Sequence, residues 1–560
     1  MNTARKLGVV ALLFAAAQCV QAGDYPRYPS RGSTYVPVDS WVYPALERLA
    51  ALRFISSDFR GLRPWTRVEC ARLTDEAGEL IREEISADRR PQDDAVGILT
   101  RLEQEFAEEL EWLGGKQARS LEVESVYARA LSLSGPILND GYHFGQTVAN
   151  DYARPFRRGT NVVAGGAIRG SYGPFFAYAW GEYQHSPSAP PLTQSVLDLQ
   201  AQQDLLPPKT ATTTPFAPIN RFRLLDTYAG VNVMNWQISF GRQSLWWGTS
   251  ESGPLLLSNN AEPINMLRIN RVVPFRLPWI FGVFGPMRVD FFVGRLGGHE
   301  VAARPWLQGQ RISFKMTRSF EFALTHTAMF GGEGQPNGID VFFNALIPIN
   351  EFRTLQGSAR SQSDQHISFD FQYRFGRKVT WYGEFLGSDD PHPFNAPSRM
   401  AVNTGFYFPR LLGFSKLDLR IEGFYTDTPN KSKSGFKHLL HYWHFTYQNG
   451  HTNNGFILGS AVGRAGAGYQ GWLTYWLDAR SRLVFGFRKV GVSSYFIPGG
   501  AQSSDYSLRY EGAVKGPWSI RSQIQVEQLK YWVLFPTPRT NVTASLELRF
   551  NPESWRIGTK

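Results

Sequence analysis

Four short stretches of the chain alternate strictly between apolar and polar side chains. They are residues 366–375, 416–422, 518–527 and 540–550. In the last one, Leu546 and Leu548 flank Glu547. Side chains on a strand point alternately to its two faces, so a period of two indicates one face in an apolar medium and one in water. Recurring over about 430 residues, the pattern predicts an all-β membrane protein, an antiparallel transmembrane barrel with a charged, hydrated lumen.

Turn signals divide the patterned region into hairpins. Gly, Pro, Asn, Asp and Ser supply most of the turn chemistry. The turns lie at 172–174, 234–236, 284–286, 317–319, 376–377, 411–415, 478–481 and 514–517. With an opening strand at 121–133 and a closing strand at 540–550, these hairpins predict about 18 strands, an even number as in bacterial outer-membrane barrels. Long polar segments separate the hairpins, so both chain ends fall on the short-turn side.

The region before the barrel has a helical pattern instead. Thr66 is a suitable N-cap, and a heptad-like spacing from Leu99 to Leu113 ends at Gly114. Residues 1–22 resemble a secretory signal, with a short apolar run after Arg5 and Lys6. We therefore expect a signal peptide (1–22), a periplasmic helical domain (23–120), an outer-membrane barrel (121–550) and a tail (551–560).

Composition agrees with a barrel and adds a charge asymmetry. Aromatic residues make up 14% of the 560-residue chain and charged residues only 19%, as expected where strands face lipid. The net charge is +11, but residues 23–120 carry −4. A basic barrel favours an anionic partner, although pairing of the charges within the lumen is an equally simple explanation. Cys70 is the only cysteine beyond the signal, which excludes an internal disulfide.

The most distinctive run is FGRQSLWWGTSESGPLLLSNNAEPINMLRINR at 240–271. Together with YQNG at 447–450 and GFILG at 455–459, it resembles the Wzi family of capsule-assembly outer-membrane proteins. The resemblance implies a barrel of about 18 strands with a periplasmic helical bundle, which binds capsular polysaccharide at the cell surface and is not an enzyme. From the residues themselves we expect no cofactor and no metal: His438, His441 and His444 lie three apart, but no carboxylate or cysteine accompanies them nearby.

Six residues of this run are candidates for polysaccharide binding. Tryptophan stacks on sugar rings, while asparagine and arginine bind hydroxyl and carboxylate groups. The candidates are Arg242, Trp246, Trp247, Asn259, Asn260 and Arg268. Two alternatives remain open: the run is an inward-folded structural loop, or the glycan contacts lie in outer loops such as 388–399 and 492–504.

Residues 36–69 carry a second resemblance, to a single S-layer-homology motif that includes LRPWTRVE at 62–69. It implies attachment to peptidoglycan; the alternative is a helical plug for the barrel mouth. The other expected partners are capsular or exopolysaccharide and outer-membrane lipids, with a monomeric barrel and no nucleic acid. The competing function is a porin with a wall-anchoring domain, and an outer-membrane enzyme is a weaker third because no catalytic cluster stands out.

Overall fold

The structure is a computed structural model that describes residues 30–88, 93–346, 363–388, 399–427, 441–514 and 516–552. The expected signal peptide, most of the loop at 388–399 and most of the tail lie outside the described residues. Within the described residues, no helix is both long and apolar enough to cross a membrane.

A closed antiparallel barrel of 18 strands forms the body of the protein, as the alternation predicted. Its strands are β1 (Arg119–Leu133), β2 (Gly159–Tyr172), β3 (Phe175–Ser186), β4 (Ile219–Val233), β5 (Trp236–Gln243), β6 (Ile264–Arg271), β7 (Pro286–Arg295), β8 (Trp306–Phe314), β9 (Phe320–Phe330), β10 (Ser363–Phe375), β11 (Val379–Ser388), β12 (Ala401–Phe408), β13 (Leu417–Tyr425), β14 (Gly466–Trp476), β15 (Arg482–Val492), β16 (Ala501–Ala513), β17 (Trp518–Tyr531) and β18 (Arg539–Phe550). A two-residue strand, Phe275–Arg276, continues β6. Each strand pairs with its neighbours in the sequence, and β1 pairs with β18 from Val126↔Phe550 to Leu133↔Thr543 to close the cylinder.

All eight predicted turns join consecutive strands, which confirms the predicted hairpins. The strand faces also follow the prediction. On β13, Asp418, Arg420 and Glu422 are buried in the interior, whereas Ile421 between them is 43% exposed on the outer surface. The short turns define one mouth of the barrel, called here the short-turn mouth, and the long loops define the long-loop mouth.

Four helices precede the barrel: α1 (Val42–Ala51), α2 (Arg67–Ser86), α3 (Asp93–Glu105) and α4 (Ala107–Leu113). Thr66 caps α2 as predicted, because its side chain accepts a hydrogen bond from Glu69 N–H at 3.1 Å. The helix predicted through Leu99 and Leu113 is instead two helices that meet at Phe106, whose buried ring lies under the Arg67 guanidinium. Cys70 is buried in the helical core.

The helical region closes the short-turn mouth. The Arg53 guanidinium donates hydrogen bonds to the carbonyl oxygens of Arg318, Arg374 and Gly376, which lie in or next to two short turns. Arg48 pairs with Asp418 of β13 at 3.0 Å. The alternative interpretation of this region as a plug therefore describes its position. The strand pattern left open whether the lumen is open or plugged, and the structure shows it largely filled at this mouth.

Two further helices lie in the long loops: α5 (Gln194–Asp204) and α6 (Ile339–Leu346). The first of them lies in the long polar segment between β3 and β4. Val196 and Leu199 of α5 are buried against Phe496 and Ile497 of the loop between β15 and β16.

Candidate functional site

The loop between β5 and β6 (residues 244–263), called here the plug loop, folds into the lumen. Its Trp246 and Trp247 form an antiparallel pair of two-residue strands with Leu62 and Arg63, which enter from the short-turn mouth. Gly248 N–H donates to the Gly61 carbonyl at 2.9 Å. The two intruding segments therefore meet inside the barrel and form one plug.

Carboxylates on the barrel wall hold the plug loop by its backbone. Glu384 of β11 accepts hydrogen bonds from the N–H groups of Ser250 and Leu255, at 2.6 and 2.8 Å. Glu422 of β13 accepts from two more N–H groups of the loop. Gly248 has a φ of +147°, and a Cβ there would lie 2.4 Å from a Glu384 oxygen, so only glycine fits at this position. These wall carboxylates take the place of the water that the backbone of the loop loses.

Two long loops cover the plug from the other side. Ser258 N–H donates to the Leu458 carbonyl at 2.7 Å, in the loop between β13 and β14. Tyr152 N–H donates to the Asn259 carbonyl at 2.7 Å, from the loop between β1 and β2. We call the described parts of these two loops, residues 134–158 and 441–465, the roof. The lumen is thus filled in three layers: helical region, plug loop and roof.

The six predicted binding residues are all held inside the protein by hydrogen bonds, ion pairs or packing, although Trp247 Nε1 and Asn259 Oδ1 have no hydrogen-bond partner. Asn260 donates its amide N–H to the Ile457 carbonyl, and Arg242 pairs with Glu262 at 3.0 Å. Trp247 is 1% exposed and packs edge-on against Phe292. These positions match the interpretation of the run as an inward-folded loop.

Arg268 is the most enclosed of the six. It is fully buried, binds both carboxylate oxygens of Asp290 and lies over the Tyr35 ring. Trp246 and Asn259 differ, because both line a cavity inside the barrel. Polysaccharide binding by the six residues stays a prediction.

The cavity, called here the lumen cavity, has a volume of about 320 Å³ and lies between the plug and strands β14–β18 and β1. Its wall is polar; among its lining residues are Gln470, Arg488, Asp505, Arg509, Gln523, Gln525 and Thr543. It shares Asp39, Glu511 and Arg521 with a recess beside the helical region. The Thr147 hydroxyl, which donates to Glu527 at 2.8 Å, helps the roof to cover it.

A second polar recess, called here the long-loop pocket, opens at the long-loop mouth with a volume of about 380 Å³. Three long loops and the loop between β7 and β8 meet there. The lining residues are Asn139, Asp140, Tyr142, His143, Pro155, Arg157, Asp204, Ile219, Gly298, Asn449, Thr452, Asn454, Gly455 and Phe456. Amide, carboxylate, guanidinium and aromatic groups thus face one space of sugar-sized dimensions.

His143 joins the loops around the pocket. Its Nδ1 lies 2.7 Å from Asp140 Oδ2 and its Nε2 lies 2.9 Å from Asp204 Oδ2. Burial alone lowers the pKa of His143, but the two carboxylates outweigh it and raise the pKa to about 9. Asp204 also accepts from Arg464 at 2.6 Å. His143 is therefore charged at neutral pH. It links its own loop, which contains Asp140, to the loop that contains Asp204.

Two asparagine side chains of the pocket, Asn449 and Asn454, each have one end of the amide hydrogen-bonded within the protein. The Asn449 side-chain oxygen accepts from the backbone N–H groups of Glu300 and Val301. The Asn454 NH₂ group donates to Glu262 at 3.0 Å. The opposite end of each amide is therefore available to a ligand hydroxyl.

Sequence reasoning missed the long-loop pocket, since its residues come from separate loops. The available signal was the set of long polar segments at 134–160, 186–220 and 426–467, each of which contributes lining residues. The outer loop 492–504 contributes none, and most of 388–399 lies outside the described residues. Among the described residues, no group of three or more His, Cys, Asp or Glu side chains could hold a metal ion.

The sequence profile of the family "Capsule assembly protein Wzi" matches residues 129–544, about three quarters of the chain and nearly the whole barrel. The chain belongs to this family. It is therefore an outer-membrane β-barrel of the capsule-assembly type, as the resemblance of 240–271 implied.

Two similar proteins illustrate the family. The solved structure of Wzi from Escherichia coli, described as a carbohydrate-binding β-barrel of the outer membrane involved in group 1 capsule assembly, has 16% identity and a TM-score of 0.65, covering 93% of this chain and 99% of that one. An uncharacterized 55.8 kDa protein of the cps region of Klebsiella pneumoniae is 24% identical over 180 residues, 30% of this chain. That match spans about a third (34%) of the relative's length. At these identities, the structural likeness concerns the fold.

Proposed function

We propose that this protein binds capsular or exopolysaccharide at the long-loop pocket and holds it at the cell surface during assembly, without catalysing a reaction. The observation that carries the proposal is the pocket itself: polar and aromatic groups converge on the mouth opposite the helical region. If that region lies in the periplasm, the pocket faces outward.

The chemistry of the pocket suits a sugar chain. Asn449 and Asn454 offer an amide donor and an amide acceptor, and Phe456 offers a partly exposed ring. Arg157 adds a positive charge for a uronic acid or another acidic substituent. Single contacts of this kind are weak, so a long polymer gains affinity by engaging many barrels at once.

The six residues of the plug loop and its flanking strands then act indirectly. We propose that they support the roof from below rather than touch the outer glycan, since Asn259 and Asn260 hydrogen-bond to roof segments. Trp246 and Asn259 remain candidates for a sugar that reaches the lumen cavity.

The direct test measures binding of the detergent-purified barrel to surface polysaccharide that is extracted from the producing cells and immobilised on a sensor. We expect the double variant Asn454→Ala/Phe456→Ala to weaken binding at least tenfold, since loss of one stacking contact and one hydrogen bond costs about 1.5–3 kcal/mol. The matched control is Gln104→Ala, which changes an exposed amide on α3 of the helical region. Equal affinity for all three proteins would reject the pocket.

The competing porin function has a separate test. Because the helical region and the plug loop fill the lumen, we expect planar-bilayer recordings of the native barrel to show no large, stable conductance. Deletion of residues 249–256 should raise the conductance, provided that the variant still shows heat-modifiable migration in SDS gels. A large conductance of the native protein would favour the porin.

We further propose that lipids surround the outer face, that the barrel is monomeric and that the helical region contacts peptidoglycan. Support for the last point is the S-layer-homology resemblance of 36–69. Co-sedimentation of the full chain with purified sacculi tests it, and light scattering of the purified barrel tests the oligomeric state.

A further inference from the structure

The connection between β6 and β7 is the longest at the short-turn mouth, and it ends in an apolar tip. Residues 272–285, called here the first rim loop, contain a 3₁₀ helix, Trp279–Phe284, in which no residue is buried. Trp279 is 94% exposed and Ile280 79%, and none of the described segments covers them. A contiguous apolar surface of this kind is unfavourable in water and marks a site of interaction with a partner or a membrane.

The base of the first rim loop is fixed, and its tip lies beside the outer surface of the barrel. A short strand pairs the base with the start of β7. Gly285 has a φ of +71°, and a Cβ there would lie 2.1 Å from the Lys315 carbonyl oxygen, so only glycine fits. The ring of Phe284 packs against Phe314, with centroids 5.6 Å apart. Phe314 shares the outer face of β8 with the exposed Ile312, so the tip continues the apolar surface of the strands.

A second connection at the same mouth has the same character. Residues 409–416 between β12 and β13, called here the second rim loop, expose Leu412 at 87% and Phe414 at 63%. The Arg48 guanidinium of the helical region donates to the Ser415 carbonyl, which fixes this loop from the inner side. The two rim loops are six strands apart in a barrel of 18, about a third of the way round the mouth.

The charges of the rim loops suit a phospholipid surface. Neither loop contains an acidic residue, and each has an exposed basic side chain next to its tip, Arg276 in the first and Lys416 in the second. Segments that lie in a membrane interface combine these features, because apolar side chains enter the acyl region while cations stay near the phosphate groups. The polar short turn at 317–319, Thr-Arg-Ser, has neither feature.

We propose that the two rim loops insert their apolar tips into the phospholipid leaflet that borders the short-turn mouth. Trp279, Ile280 and Leu412 then lie among the upper parts of the acyl chains, and Arg276 and Lys416 lie at the level of the phosphates. The packing of Phe284 on the outer face favours lipid as the occupant over a protein partner. Two anchors at separate points of the mouth would oppose tilting and extraction of the barrel. This inference goes beyond polysaccharide binding and does not depend on it.

The test labels single cysteines in the full-chain barrel, reconstituted in phosphatidylcholine nanodiscs. Cys70 is buried, so Ile280→Cys and Leu412→Cys provide selective sites for an environment-sensitive NBD fluorophore. The quencher is a lipid with a nitroxide near the top of its acyl chain. We expect at least about twofold more quenching at both positions than for the control Arg318→Cys in the turn 317–319, because insertion by about 5–10 Å reaches the nitroxide.

Aqueous iodide, a second quencher, distinguishes lipid from the other possible surroundings of the tips. If iodide quenches the labels at positions 280 and 412 as strongly as the label of Arg318→Cys, the tips lie in water and the proposal is overturned. Protection from both quenchers would also overturn it, because a protein, such as a second copy of the chain, would then cover the tips.

An unlabelled variant excludes an effect of the fluorophore itself. We expect Ile280→Asp to leave outer-membrane vesicles at a lower detergent concentration than the native barrel. Its matched control, Ile339→Asp, changes a similarly exposed isoleucine at the start of α6 in a long loop and should be released like the native barrel. Release of Ile280→Asp at the native concentration would contradict the proposal. Heat-modifiable migration in SDS gels verifies folding, and polysaccharide binding of both variants is measured separately to test the proposed function.

Discussion

The two sides of the lumen are built from the same alternating strands but differ in what their inward charges meet. On the side of β6–β13, Arg268 pairs with Asp290 and Arg311 with Asp370, and all four side chains are at most 1% exposed. On the side of β15–β18, Arg509 and Arg521 share Glu511 at the lumen cavity and remain about a third exposed. The plug loop lies against the first side and leaves a cavity beside the second.

The contribution of an inward charge to stability therefore depends on which side of the lumen it faces. Where the plug excludes water, an ion pair is obligatory, because a lone charge cannot regain its hydration. Where the cavity keeps water, the same kind of pair is screened and contributes little. The roof shows a related contrast: burial keeps His441 and His451 neutral over the packed side, whereas His143 at the long-loop pocket is charged because it lies between Asp140 and Asp204.

The largest expected effect is on the packed side. Arg268→Met leaves Asp290 buried without a partner, and we expect the free energy of unfolding to fall by about 3–5 kcal/mol. Denaturant titration of the barrel refolded in lipid measures this loss. Arg268→Met/Asp290→Leu should recover most of it, and a double variant as unstable as the single one would contradict the desolvation argument.

The second-largest effect on stability should come from low pH, which protonates buried histidines of the roof over the packed side. Burial lowers the pKa of His441 to about 4 and that of His451 to about 3. The unfolded chain binds these protons near pH 6.5 and the folded chain does not, so stability falls as the pH drops below 6.5. We expect a loss of about 4 kcal/mol between pH 7 and pH 5. His441→Gln/His451→Gln should make this part of the pH profile clearly shallower; the slope that remains belongs to other buried histidines, such as His299 and His444, whose pKa burial also lowers. An unchanged slope would contradict the assignment.

High pH should destabilise the long-loop pocket, whereas low pH destabilises the roof over the packed side. The pKa of His143 is raised to about 9, so its contribution is complete below pH 6.5 and is lost as the pH rises through 9. We expect about 2 kcal/mol less stability at pH 10 than at pH 7, together with weaker polysaccharide binding. The His143→Gln variant lacks the titrating group; if it shows the same alkaline loss, another residue is responsible.

The smallest effect should come from the cavity side. Arg509→Gln leaves Glu511 paired with Arg482 at 2.6 Å, and water replaces the lost contact. We expect a change of less than about 1 kcal/mol in the same unfolding assay. A loss as large as that of Arg268→Met would show that the two sides of the lumen are equivalent.

Much of the architecture could be predicted from local sequence. The alternation in β13 and β18, the eight turns and the Thr66 cap depend on residues close together in the chain, and the structure confirms them. The one helix predicted through 99–113 was wrong, because packing of Phe106 breaks it in two. The run at 240–271 identified the family without indicating whether its residues face a ligand or the interior.

The pocket and the buried histidines could not be predicted in this way. His143 and Asp204 are 61 residues apart in the sequence, and His299 meets the carbonyl of Thr452 across 153 residues. No periodicity links such positions, since each loop enters the site with its own irregular backbone. Only the closed cylinder, which brings the ends of all long loops to one mouth, makes them neighbours.

By itself, the sequence determined which side chains face lipid and which face inward, because a strand has only two faces and the apolar medium selects one. Tertiary structure alone decided what the inward side chains meet: a plug loop, a helical segment, a cavity or a roof. That choice depends on loops distant in the chain filling one enclosed volume, and it sets the charge state and the energetic role of every group inside.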